Sequence, residues 1–337
     1  MTASAILVLA GVLRMEPLTA PVPAVARPFA GVVVDKVLVA GGSEFPDKSL
    51  VEGGKKSCRA EIWAFDPACS AWSLAGTLPQ GRAEGASATT SRGVVCVGGA
   101  TGADCAVVTN GAFLLTRSGI ASLPPFPVAA KYMAAAASGD RVFAVGGDAV
   151  ASIDLTAERP RWTEVKHLPM ALTQPVCAVT KDALFVFGET EDDRSVGFCR
   201  PVSAVDDSGW VSVPPPSDGD RRFTGAVAAT DREGRILVVG GTSRAPRRES
   251  AGKPRAWYLD HPDAWFRFPK TVLALDPSIR KWSVVGELPV AGRAGAAVAA
   301  LPDGRLFVWG GEVGAGTRTN DGALSAGCAM TTVTSSR

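Results

Sequence analysis

The stretch DKVLVAGG, Asp35–Gly42, decides the fold. It is a short turn, a fully apolar strand and a terminal glycine pair. Near-copies follow: RGVVCVGG at Arg92–Gly99, DRVFAVGG at Asp140–Gly147, DALFVFGE at Asp182–Glu189, GRILVVGG at Gly234–Gly241 and GRLFVWGG at Gly304–Gly311. The first glycines fall at Gly41, Gly98, Gly146, Gly188, Gly240 and Gly310, a loose period near ~50 residues. Ahead of these strands lie small-residue runs such as Ala86–Thr89, Ala134–Ala137, Ala226–Ala229 and Ala296–Ala299, whose side chains let strands crowd an axis. Behind the glycines come a looser strand, a turn, then Trp and Leu-Pro: Trp72 with Leu78-Pro79, Trp162 with Leu168-Pro169, Trp282 with Leu288-Pro289. Glycine pairs suit backbone turns where a side chain would clash, and Trp supplies apolar area between neighbouring units.

A repeat of this length with a strand ending in Gly-Gly marks a kelch-type propeller, one four-stranded blade per unit. The expectation is an all-β, six-bladed kelch β-propeller forming a single domain over residues 1–337. The sixth unit lacks a Trp and Leu-Pro of its own, so an N-terminal strand is expected to close it. The apolar segment Ala5–Leu13 is the candidate, within residues 1–14. It is long enough for a signal-peptide core and far short of a membrane span, and it has no basic flank.

Composition bounds the function. At 46% apolar and 20% charged residues the chain can bury a large core. A formal net charge of +2 gives no general pull toward nucleic acid or membrane, so any basic site is local. The seven cysteines (Cys58, Cys69, Cys96, Cys105, Cys177, Cys199 and Cys328) lack zinc or redox spacing and read mostly as buried thiols. With only His167, His261, Tyr132 and Tyr258 available, ligands for the copper site of kelch-type oxidases are too few, and neither metal nor cofactor is expected. Neither a phosphate loop nor a nucleophile elbow is present.

Two insertions, residues 43–59 and 242–270, each follow a glycine pair and so should emerge on one face, the expected ligand face. The first brings Lys55 and Lys56; the second brings Arg244, Arg247, Arg248 and Arg255 among aromatic residues. A basic or amide residue also precedes the inner strand of each unit: Arg27, Arg82, Lys131, Gln174, Arg222 and Arg293. Arginine grips a carboxylate through paired charge-assisted hydrogen bonds, so such a ring suits a small acidic ligand. The alternative is that each caps its own loop or pairs with a neighbour such as Glu84. Carboxylates at the glycine ends supply acid–base candidates: Glu189, which replaces a second glycine, and Glu312, which follows a pair.

The motifs GGSEFPDKSLVEGGKK at Gly41–Lys56, RAEGASA at Arg82–Ala88, HPDAWFRFPKTVLALDP at His261–Pro277 and GELPVAGRAGAAVAALPDGRLFVWGGE at Gly286–Glu312 are similar to those of the sialic-acid mutarotases. These are also called N-acetylneuraminate epimerases, and the likeness is to their cyclically permuted branch, over Arg27 to Asp321. The resemblance implies interconversion of the anomers of N-acetylneuraminate or a related acidic sugar, with no cofactor. It implies a catalytic glutamate and arginine, which fall on Glu189 and Arg194, with Glu312 as the rival. Arg27, Arg82, Arg222, Arg293, Lys55, Lys56 and His261 become the substrate-binding candidates. Many relatives are exported, which implies the periplasm; a structural role for residues 1–14 would instead suit the cytoplasm. The alternative function is a non-catalytic kelch propeller that binds a protein or glycan.

Overall fold

The structure, a computed structural model, describes residues 12–203, 209–217 and 219–326. Among these it is all-β apart from short helices, with six four-stranded antiparallel sheets. The first sheet in chain order holds Phe29–Val33, Lys36–Ala40, Glu61–Asp66 and Ala71–Thr77. The second holds Ala86–Thr90, Gly93–Val97, Ala112–Thr116 and Gly119–Leu123; the third holds Ala134–Ser138, Arg141–Gly146, Ala149–Asp154 and Trp162–Val165. The fourth holds Thr173–Val179, Ala183–Glu189, Ser195–Pro201 and Val211–Ser212; the fifth holds Arg221–Thr230, Ile236–Ser243, Thr271–Asp276 and Lys281–Glu287. The sixth combines Ala297–Ala300, Leu306–Trp309 and Asp321–Ser325 with a strand from the other end of the chain, Met15–Thr19.

That last strand adjusts an expectation. The segment expected to complete the sixth sheet, Ala5–Leu13, lies mostly outside the described residues. The strand seen there runs Met15–Thr19 and pairs in register with Ser325–Asp321. Pro17, which has no amide to give, is tolerated because this strand lies on the sheet's outer edge.

The first strands of successive sheets lie side by side, and that of the sixth, Ala297–Ala300, neighbours that of the first, Phe29–Val33. Alanine-rich first strands allow this close approach, while the second strands, such as the fully buried Gly93–Val97, carry the bulk of the core. Aromatic side chains fill the wedges between sheets. Trp72 of the first sheet sits 4.7 Å from Trp309 of the sixth, and Trp282 of the fifth sits 5.2 Å from Phe187 of the fourth. Their polar ends are used as well: Trp162 Nε1 donates to Pro124 O and Trp282 Nε1 to Pro214 O, each on the preceding unit, at 2.9 Å.

The glycine pair has a specific task. A Cβ on Gly41 (φ +66°) would lie 2.1 Å from Arg82 O, so only glycine lets the neighbouring unit come this near. The next amide, Gly42 N, then donates to that same Arg82 O at 2.9 Å. The same link joins Gly99 N to Ala130 O, Gly241 N to Arg293 O and Gly311 N to Val25 O, the last from the sixth unit to the first.

The cysteines depart from the thiol expectation at two positions. Cys58, in the first insertion, forms a disulfide with Cys105, 47 residues later. Cys96, Cys177 and Cys199 are buried thiols, Cys69 is exposed, and Cys328 lies outside the described residues.

Candidate functional site

In each sheet one residue stands two positions ahead of the first-strand residue that faces the end of the glycine strand. These six are Arg27, Glu84, Tyr132, Gln174, Gly225 and Gly295, and all have positive φ: 54°, 64°, 57°, 49°, 78° and 65°. Backbone hydrogen bonds link five of them in series. Gly295 N donates to Gly225 O, Arg27 N to Gly295 O, Glu84 N to Arg27 O and Tyr132 N to Glu84 O. A left-handed residue with a side chain costs roughly 1–3 kcal/mol against glycine, and such strain concentrates where a side chain is needed. Two sheets use glycine; four place a polar or charged side chain at the mouth of the channel between the first strands.

The four interact. Arg27 donates to the amide oxygen of Gln174, which belongs to the fourth sheet, and so reaches across the mouth. Its guanidinium lies 4.6 Å over the ring of Tyr132. The Tyr132 hydroxyl donates to Glu84 Oε1 at 3.3 Å, and the ammonium of Lys56, from the first insertion, donates to the same oxygen at 2.6 Å. Lys131 stands 3.7 Å from Glu84 Oε2. Burial pushes the Arg27 guanidinium below its ordinary value, opposed by the charges of Glu312, Tyr132 and Glu84. Burial raises the Tyr132 hydroxyl, and the Glu84 carboxylate adds to the rise.

Two insertions and a loop wall the mouth. In the first, Ser43–Glu44 and Ser57–Cys58 form a short ladder, and the disulfide ties it to the second unit. The second carries two short helices, Arg244–Glu249 and Arg255–Leu259, in which aromatic contacts link Trp257, Tyr258, His261, Trp265 and Phe266. Between them Glu312 pairs with Arg318, which also donates to Ser43 O at 3.1 Å and covers the Phe45 ring at 5.0 Å. Thr317 Oγ1 donates to Asp263 of the second insertion at 2.8 Å. Tyr258 is raised by burial and by the Glu312 charge.

The expected binding residues divide sharply. Arg27, Gln174, Lys131 and Lys56 meet at the mouth. Arg82 and Arg293 turn into their own sheets instead, because they stand two residues ahead of the ring position. Arg82 donates to Gly98 O and Gly111 O at 2.8 and 2.5 Å. Arg293, wholly buried, donates to Gly310 O and Asp321 O at 3.1 and 3.0 Å and pairs with the Asp321 carboxylate at 2.9 Å. Arg221 makes the same bonds in the fifth sheet, to Gly240 O and Thr271 O. These arginines fasten second and third strands, and burial lowers both Arg82 and Arg293. Arg222 is held by Asp193 at 2.6 Å. Lys55 is exposed beside Asp104, and His261 Nδ1 donates within its own insertion, to Trp257 O at 2.8 Å.

The expected catalytic pair is also rearranged. Glu189 is fully buried and its two oxygens accept four hydrogen bonds: from Phe223 N (2.7 Å) and Ser195 Oγ (3.1 Å), and from Thr224 N (2.9 Å) and Thr224 Oγ1 (2.8 Å). Its carboxylate performs across the fourth and fifth sheets the linking that a glycine amide performs elsewhere. Arg194 is exposed and pairs with Asp192 at 2.6 Å. The arginine beside Glu189 is Arg244, at 3.8 Å, which sequence reasoning left as one of several basic residues in the second insertion. Tyr132 and Glu84 were missed as members of the ring; the signal was the glycine at the matching place in the fifth and sixth units.

With this geometry in place, comparison with known proteins defines the class. The fold is similar to a solved structure titled "Structure of YjhT", with a TM-score of 0.67, 14% identity, and 91% of this chain and 95% of that one covered. This shows a propeller-like all-β fold. A family model described as N-acetylneuraminate epimerase matches residues 123–329. The chain belongs to that family. Relatives named N-acetylneuraminate epimerase include one from Haemophilus influenzae (strain 86-028NP), 28% identical over 219 residues, covering 58% of this chain and 57% of that one. Another, from Pasteurella multocida (strain Pm70), is 29% identical over 223 residues, covering 60% and 58%. The match spans less than two thirds of the length of these curated relatives.

Proposed function

We propose that the protein is a six-bladed propeller closed by Met15–Thr19, and that its channel mouth binds N-acetylneuraminate or a related acidic sugar and interconverts the anomers. One observation carries this reading. Arg27 is a half-buried cation at the mouth with no carboxylate within 4 Å among the described residues, whereas Arg222, Arg244, Arg318, Lys56 and Lys131 around it all have one. A charge partly withdrawn from water is stabilised by a partner of opposite sign, so Arg27 offers a place for an anion supplied from outside. A sugar carboxylate fits its fork geometry.

Size favours a sugar seated above the ring over one in the channel. The cavity below Arg27 and Gln174 holds about 100 Å³, against roughly 300–1,000 Å³ for ordinary small-molecule sites. The ligand therefore rests on the ring, between the two insertions.

Anomer exchange needs the ring opened and closed on the other face. One group takes the proton of the anomeric hydroxyl while another gives a proton to the ring oxygen, and closure reverses the roles. Glu312 is the carboxylate we assign to the ring oxygen: it is partly exposed, is oriented by Arg318, and its charge is felt at both Arg27 and Tyr258. Glu189, enclosed by its four donors, is assigned to holding two sheets together. NMR exchange spectroscopy on N-acetylneuraminate tests the reading. Catalysed exchange, slowed at least ~10²-fold by Glu312→Gln, supports it. Tight binding without exchange would favour the non-catalytic propeller.

A further inference from the structure

The assignments above leave a buried carboxylate and a phenol at the same mouth without a task. Glu84 is 2% exposed, and its neighbour Tyr132 is half-buried. Both hold positive φ where the fifth and sixth units use glycine, so their side chains are placed here against the preference of the backbone.

The hydrogen bonding of Glu84 is incomplete. An ionised carboxylate has room for about four hydrogen bonds, and Glu189 receives that full set. Glu84 receives two, from Lys56 and Tyr132, both on Oε1. Its Oε2 is buried and accepts none, with Lys131 at 3.7 Å as its ionic neighbour. Glu189 thus has its acceptor sites filled, while Glu84 keeps one oxygen with none filled.

Position matters equally. In an acidic sugar of the 2-keto type the carboxylate is attached to the anomeric carbon itself. A carboxylate held by Arg27 therefore brings the anomeric hydroxyl beside whatever flanks Arg27. That flank is Tyr132, whose ring lies under the guanidinium.

We propose that Tyr132 is a catalytic residue that relays a proton between the anomeric hydroxyl and Glu84, with Glu84 acting through it as positioning residue and proton store. This rests on the anomer exchange proposed above. In the opening step the anomeric hydroxyl gives its proton to the Tyr132 oxygen as Tyr132 passes its own to Glu84. The electron pair left on the anomeric oxygen forms the carbonyl, the bond from the anomeric carbon to the ring oxygen breaks, and the ring oxygen takes a proton from Glu312, which enters this step protonated and leaves it as the carboxylate paired with Arg318. Closure on the opposite face returns the proton from Glu84 through Tyr132 and restores that of Glu312. One proton is shared by the two carboxyl groups throughout, Tyr132 never carries a charge, and no co-reactant is consumed.

The test separates binding from turnover. N-acetylneuraminate affinity by calorimetry and anomer exchange by NMR are measured on the wild type, Tyr132→Phe, Glu84→Gln and the double variant. The relay predicts exchange at least ~10²-fold slower in each single variant, affinity within about threefold, and a double variant no slower than the slower single one, because the two residues act as a unit. If Tyr132→Phe melts below the assay temperature, the same split read on Glu84→Gln decides. Full-rate exchange in either folded single variant, or a loss confined to affinity, overturns the relay and leaves the anomer-exchange reading standing. No exchange by the wild type overturns both.

Discussion

Replacing Arg27 with glycine should weaken the ligand and spare the fold, a combination that few half-buried arginines would show. The arginine occupies φ +54°, which glycine adopts freely and does adopt at the matching positions Gly225 and Gly295. Relief of the left-handed conformation returns about 1–2 kcal/mol, and a half-buried cation without a carboxylate is removed. Against this stand the added freedom of a glycine in the unfolded chain, roughly 0.5–1 kcal/mol, and the bond to Gln174, which has a charged donor and contributes about 1.5–3 kcal/mol. The net loss is about 1–2 kcal/mol, so the melting temperature should fall by only a few degrees. Binding is another matter. A hydrogen bond to a charged group contributes about 1.5–3 kcal/mol, so the Kd for N-acetylneuraminate should rise roughly 10- to 150-fold. Calorimetry and thermal melting on the same preparation give both readouts. An unchanged Kd, or an unfolded variant, would refute the reasoning, since either outcome would mean that Arg27 serves the fold and not the ligand.

Other variants should separate fastening from function in the opposite sense. Arg82→Ala removes donors from Gly98 O and Gly111 O; it should lower stability by about 1–3 kcal/mol in denaturant unfolding while the Kd of the folded fraction stays within twofold. Glu189→Gln sets amide hydrogens against donors that the carboxylate now satisfies, so it should lower the melting temperature and keep the exchange rate; a stable variant with slowed exchange would return Glu189 to the reaction. Reducing the Cys58–Cys105 disulfide releases a 47-residue crosslink, with an expected loss of about 2–4 kcal/mol, measured by unfolding with and without a dithiol; an identical transition would show that the bond is not formed in solution.

Most of the architecture was readable because each unit repeats one steric problem. A strand must deliver its end to within hydrogen-bond reach of the next unit, only a glycine pair permits that, and so Gly41-Gly42 and its copies announce the sheets. The N-terminal strand of the sixth sheet was harder, since Ala5–Leu13 is more apolar than Met15–Thr19, yet an outer strand exposed along one side does not need an apolar run. At the proposed mouth the basic residue types were legible and their placement was not. Arg27 and Arg82 look equivalent in the sequence, but the pairing registers place them two residues apart, which turns one guanidinium into the mouth and the other into its sheet. A positive φ leaves no mark on an arginine, glutamate or tyrosine; it shows only in Gly225 and Gly295. The disulfide joins residues 47 apart in two different units, a proximity created by the sheets and absent from local spacing.

The central claim is that Arg27 receives the carboxylate of an acidic sugar at the mouth of the channel. A crystal structure of the protein soaked with N-acetylneuraminate tests it most directly. The account predicts the sugar on the ring of Arg27, Glu84, Tyr132 and Gln174, with both carboxylate oxygens within about 3 Å of the Arg27 guanidinium and the anomeric hydroxyl toward Tyr132. A carboxylate bound by any other cation while Arg27 keeps only Gln174, or a sugar lodged elsewhere on the molecule, would contradict it.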